Sequence, residues 1–178
     1  MPAVVAAAAL AAAGCGGSSS SSGSDTTPPN QWADSLCSSI TTWTSSLSSI
    51  AGDLQSGGLT KDSLQTAVDS AKTATDDFTT SLGNLGRPDT ESGQKAQDSV
   101  NQLSSEIQSD LTTIEDAVNG ASGVSGVLNA VTVTKSTLSK AGTQVSDTLT
   151  GFQDLDAKGE LEAAFKQSDS CKKLTGGS

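Results

Sequence analysis

At 178 residues, with roughly the first thirty almost wholly Ala, Ser, Gly, Thr and Pro, the chain has material for one folded domain and no more. Ten Lys and Arg against twenty Asp and Glu give a formal net charge of -10, which disfavours a sequence-independent grip on a phosphate backbone and makes nucleic acid an unexpected partner. Histidine is absent, which excludes Ser-His-Asp and Cys-His catalysis, the Glu-x-x-His ligands of ferritin-like bundles and His-based zinc sites.

Residues 2–13 read PAVVAAAALAAA, an apolar run that suits the core of a signal peptide and is too short for a membrane-spanning helix of about twenty residues. It ends at Ala12-Ala13-Gly14-Cys15, which resembles the bacterial lipobox, with Ala12 where an aliphatic residue is usual. No Lys or Arg precedes the run, an absence that a start codon further upstream would remove. The resemblance implies that residues 1–14 are a cleaved leader and that Cys15, as first mature residue, carries acyl chains into the membrane. The alternative is an Ala-rich terminus with an unmodified cysteine. Residues 15–29, with GGSSSSSGSDTTPP after the cysteine, have no apolar side chain to dock and are expected to be a flexible tether.

From residue 30 to 175 a helical domain is expected. Leu36, Ile40, Trp43, Leu47, Ile50 and Leu54 recur at steps of three and four, one stripe of an amphipathic helix that Gly57-Gly58 ends. Thr60 is placed to cap a second helix, whose stripe is Leu64, Val68, Ala71, Phe78, Leu82 and Leu85, before Gly86 and Pro88 stop it. The turn Gly86-Arg87-Pro88-Asp89-Thr90 holds the chain's one Arg, with Asp89 or Thr90 expected to cap the next helix. That third helix carries Ala96, Val100, Leu103, Ile107, Leu111, Ile114 and Val118. A Gly-Ser loop to Gly126 follows, then a fourth stripe of Leu128, Val131, Leu138, Ala141, Val145, Leu149 and Phe152, then a short piece with Leu161, Ala164 and Phe165. Four such stripes with short connections predict an all-α fold, an up-and-down antiparallel four-helix bundle with a short fifth C-terminal helical segment. Aromatics are only 3% of the chain, so its core is thin and rests on Ala, Val, Leu and Ile.

An even number of up-and-down helices returns the chain to its starting end, so Cys37 and Cys171 are expected to meet. Lipidation of Cys15 would leave these two to form a disulfide, worth about 4 to 5 kcal/mol at most in the chain-entropy model. Two buried thiols are the alternative. The acidic residues, including Asp62, Asp69 and Asp76 and then Asp98, Glu106, Asp110 and Glu115, read as solvated helix faces, and Asp76-Asp77 and Glu115-Asp116 have no cation-binding spacing. Trp32 and Trp43 flank Cys37 and read first as a packing nucleus; they and Arg87 are the candidate partner contacts.

With Trp32-Ala33-Asp34, Cys37, Trp43, the Gly86 to Thr90 turn and Leu161-Glu162-x-Ala164-Phe165 leading to Cys171, the chain resembles small lipoproteins of high-GC Gram-positive bacteria. The resemblance implies an anchor on the extracytoplasmic face of the cell membrane and no catalytic residue or cofactor. The expectation is a non-enzymatic interaction or scaffold module of the envelope, bound to an unidentified envelope protein. A small-molecule or lipid-binding bundle and a sensory module acting through a partner are the alternatives.

Overall fold

The computed structural model describes residues 26–155 and 158–174; the leader, Cys15 and most of the expected tether lie outside them. Among the described residues the chain is helical apart from one pair of two-residue strands. In order it forms β1 (Thr26–Thr27), α1 (Pro29–Gly57), α2 (Lys61–Gly83), β2 (Arg87–Pro88), α3 (Gly93–Asn119), α4 (Gly123–Leu155), α5 (Glu160–Gln167) and α6 (Asp169–Leu174). Successive long helices pack side by side, α1 on α2, α2 on α3 and α3 on α4, while α5 and α6 fold back onto α1.

Local chemistry accounts for the helix ends. Gly58 leaves α1 at φ +84°, a backbone shape that a side chain would strain. Thr60 then caps α2: its Oγ1 accepts from the Ser63 amide at 3.1 Å, and Ser63 Oγ accepts from the Thr60 amide at 2.9 Å. Between caps, Ser and Thr hydroxyls donate back to carbonyls one turn earlier, as in Thr41 to Cys37 at 2.8 Å and Ser48 to Thr44 at 2.9 Å. Such bonds satisfy the hydroxyl without adding helix stability, so burial has to hold these helices in place.

The burial follows the stripes. All seven apolar positions read for α3, Ala96 to Val118, are buried. Trp32, Leu36, Ile40 and Trp43 of α1 join Phe78, Leu82 and Leu85, Val100, Leu103 and Ile107, Val145 and Phe152 in one cluster. A second cluster, toward the α1–α2 and α3–α4 turns, is centred on Leu64, Ile114, Val118, Ala121 and Ala130.

Several expectations need correction. Thr26 and Thr27, assigned to the tether, pair in parallel with Arg87 and Pro88. Thr27 Oγ1 donates to the Leu85 carbonyl at 2.7 Å, and the Asp89 amide donates to the Thr27 carbonyl at 2.9 Å. Neither Asp89 nor Thr90 caps α3. The residue before it is Ser92, whose hydroxyl instead donates to the carbonyl of Leu155 at the end of α4. The α3–α4 loop ends at Gly123, whose φ is +62°, rather than at Gly126, which lies inside α4 and packs closely on Ala121, an added Cβ there standing 3.2 Å from the Ala121 backbone. Leu128 points outward, and Ala130 and Thr137 are buried instead. Asp110 leaves the solvated face assigned to it and is buried. The C-terminal segment is two helices, broken at Ser168, whose backbone is extended.

Gly93, the first residue of α3, tests how tightly this turn is built. A Cβ there would stand 2.0 Å from the Pro88 carbonyl oxygen, a backbone atom with no freedom to retreat alone. Gly93→Ala is expected to cost about 1 to 3 kcal/mol through overpacking. Gly142→Ala, in the middle of α4 with nothing within 4 Å, is expected to add about 0.5 to 1 kcal/mol. Urea melts of the two variants should move in opposite directions.

Candidate functional site

The two ends of the helical body differ, and the sequence explains how each is built. At the first end α1 begins, α2 and α4 finish, and α5 and α6 dock. Cys37 of α1 and Cys171 of α6 form a disulfide with Cα atoms 5.0 Å apart. It is buried with Ala33 and Ala164, small residues that let the last helices approach α1 closely. The break at Ser168 makes the approach geometrically feasible, since its Oγ accepts from the Cys171 amide at 3.1 Å and donates to Asp34 Oδ1 at 2.8 Å. Beside the bridge a cavity of about 280 Å³ is lined by Cys37, Leu149, Phe165, Cys171 and Leu174, with Glu162, Lys166 and Lys172 also on its wall. Its lining is mainly apolar, so it suits a small apolar or amphipathic molecule better than an ion.

Asp34 is exposed, yet the hydrogen bonds from the Ser168 side chain and then from Ser170 hold its carboxyl below the ordinary carboxylate range. A carboxyl whose folded pKa is lowered adds stability that is complete above its unfolded pKa, about 3.9, and fades as pH falls through the folded value. The stability advantage of the native protein over Asp34→Asn should therefore stay constant at neutral and mildly acidic pH and shrink below about pH 4. Paired thermal melts across pH would show this; a gap that widened on acidification would contradict it.

The candidate contact residues fall differently from one another. Trp32 is fully buried, and its Nε1 donates to the Gly86 carbonyl at 3.1 Å, so it holds the α2–α3 turn against α1. Trp43 is 5% exposed, stacked on Phe78 with ring centroids 4.8 Å apart, and its Nε1 donates to Thr75 Oγ1 at 3.2 Å. Both indoles therefore belong to the packing nucleus, and neither offers a face to a partner. Arg87 is half-buried, and its backbone pairs with Thr26.

The opposite end was not singled out by sequence reasoning. Lys61 Nζ at the start of α2 donates to the carbonyls of Asn119, at 3.2 Å, and Ala121, at 2.9 Å, which sets the α1–α2 turn beside the α3–α4 turn. The three exposed large apolar side chains among the described residues all belong to this end: Leu59 is 51% exposed, Val124 79% and Leu128 56%. Spacing gave no signal of this: Val124, Val127, Leu128 and Val131 stand at i, i+3, i+4 and i+7, one helical stripe, yet Val124 and Leu128 are exposed and Val127 and Val131 only half-buried.

Among the described residues no three His, Cys, Asp or Glu side chains converge to hold a metal ion, and no helix is long and apolar enough to cross a membrane. Asp76, Asp77 and Asp116 are exposed, and Glu115 lies 3.4 Å from Lys72. What the geometry offers is contact surface: an apolar cavity at the disulfide end and apolar side chains at the other. No protein-family model, no curated protein and no solved structure matches the chain.

Proposed function

We propose that this chain is a lipid-anchored module of a bacterial cell envelope, non-enzymatic, held to the membrane through acyl chains on Cys15, and binding another envelope protein with the end remote from its anchor. In this reading α1 to α4 form an up-and-down antiparallel four-helix bundle that acts as a spacer, with the tether entering at the disulfide end. The observation that carries it is the polarity of the body. The N-terminal strand and the disulfide share one end, whereas Leu59, Val124 and Leu128 are exposed around the other. A helix the length of α3 separates the two by about 40 Å. Apolar side chains left in water at one pole are the kind of feature that marks a contact site.

The test is in the host. A photo-crosslinker in place of Leu128 should trap one reproducible envelope neighbour, and Val124→Glu with Leu59→Glu should abolish trapping while altering stability by no more than about 0.5 kcal/mol per site. Trapping that persisted in that double variant, or that was equally strong from Thr112 on the exposed flank of α3, would rule out the remote end as the contact. The anchor is tested separately, by the intact mass of membrane-extracted protein, expected to begin at Cys15 with acyl chains added.

A second reading, binding of a small apolar or lipid-like molecule, is favoured by the cavity beside the disulfide. Native mass spectrometry of protein purified from its host would show a retained ligand if that reading holds.

A further inference from the structure

The middle of the helical body contains polar groups that packing alone does not explain. Asp110 of α3 is only 5% exposed, in a helix whose neighbouring inward residues are Ile107, Leu111 and Ile114. Its Oδ1 accepts from Lys140 Nζ of α4 at 2.7 Å, while its Oδ2 is buried with no partner. Thr75 of α2, 3% exposed, accepts the Trp43 indole N–H and so still has its own hydroxyl proton to give; among the described residues no protein group receives it. Thr137 of α4 is 7% exposed.

Asp110, Thr75 and Thr137 line one small cavity of about 20 Å³, together with Trp43, Ile107 and Ala141. One water needs roughly 10 to 15 Å³ of such space and two to four polar partners, so the cavity accommodates a single water and nothing larger. We infer that this cavity is a built hydration site: one water donates to Asp110 Oδ2 and accepts from the Thr75 hydroxyl, with Thr137 as a further partner. A buried carboxylate oxygen left dry would cost about 1 to 3 kcal/mol or more, and the water removes that cost without moving any helix. A cation fits less well. Lys140 already neutralises the carboxylate, and the remaining wall is largely apolar and offers too few oxygens for a coordination shell.

The site would link α1 through Trp43, α2 through Thr75, α3 through Asp110 and α4 through Lys140 and Thr137 in one polar layer. Such a layer penalises helix slippage that a stripe of Ala, Val and Leu would tolerate.

Water-oxygen relaxation dispersion on the purified protein tests this. The native chain should hold one more long-lived internal water than Asp110→Leu, and Asp110→Asn, which keeps a carbonyl acceptor, should retain it. Equal numbers in native protein and Asp110→Leu would overturn the inference. Should Asp110→Leu fail to fold, a crystal structure of the native protein at better than about 1.5 Å decides alone: a water peak within hydrogen-bond distance of Asp110 Oδ2 and Thr75 Oγ1 supports the site, and an empty cavity overturns it. An anomalous peak there after soaking in rubidium would also overturn it, in favour of a monovalent cation.

Discussion

Replacing Trp32 by alanine is expected to lower the stability of this protein by about 3 to 5 kcal/mol, the range for truncating a large buried aromatic. Three connections end on this side chain. Its ring meets Phe152 edge-on with centroids 5.3 Å apart and Phe165 at 6.2 Å, which joins the start of α1 to the ends of α4 and α5. Its indole N–H holds the Gly86 carbonyl, and through that turn the strand pair of Thr26–Thr27 with Arg87–Pro88. With only three Phe and two Trp in the chain, few other large groups could fill the space left behind. Urea unfolding followed by circular dichroism would measure the loss. Trp32→Phe separates the contributions, since it keeps much of the ring packing but orphans the Gly86 carbonyl, and should cost about 1 to 3 kcal/mol. A loss under 1 kcal/mol for alanine would mean that this aromatic cluster does not organise the end of the body.

The second large effect is that of the disulfide. Cys37 and Cys171 close a loop spanning 134 residues, for which the chain-entropy model gives about 5 kcal/mol, while measured losses on removing a native disulfide run from about 2 to 5 kcal/mol. The double variant Cys37→Ala with Cys171→Ala is expected to fall in that range and to melt on the order of 10 °C lower. The loss should be concentrated at α5 and α6. These two helices are short, and besides the bridge they are held by the Asp34 to Ser168 contact and by Leu161, Ala164 and Phe165. Hydrogen exchange should therefore show α5 and α6 opening in the double variant while α3 stays protected. Uniform deprotection of all helices would mean that the bridge stabilises the body as one cooperative unit.

Periodicity was a sound guide wherever one helix face met one continuous apolar surface. In α3 every stripe position is buried, because a helix flanked by α2 and α4 presents its 3.6-residue period directly as burial. The ends of α1 and α2 were equally legible, since glycine and a Thr-Ser cap act within a few residues of chain. The polar layer was harder to read. Asp110 follows Ile107 by three residues and precedes Ile114 by four, so its spacing already put it on the inner face, yet its charge argued for solvent. Leu128 misled in the opposite direction: its hydrophobicity argued for burial, but α4 there runs along the edge of the second cluster and turns Ala130 inward.

Local backbone preference and side-chain period made the all-helical class, the four long helices and several of their ends legible along the chain, whereas the pairing of Cys37 with Cys171 was an expectation from topology that left two thiols as the alternative. Contacts in space set the rest: that Thr26 and Thr27 are bound to the α2–α3 turn, that both tryptophans are core, that Lys140 reaches Asp110, and that the exposed apolar residues gather at the end opposite the disulfide. These depend on contacts between residues 30 to 140 positions apart, whose energies are set by the partner's position in space and leave no periodic trace along the chain.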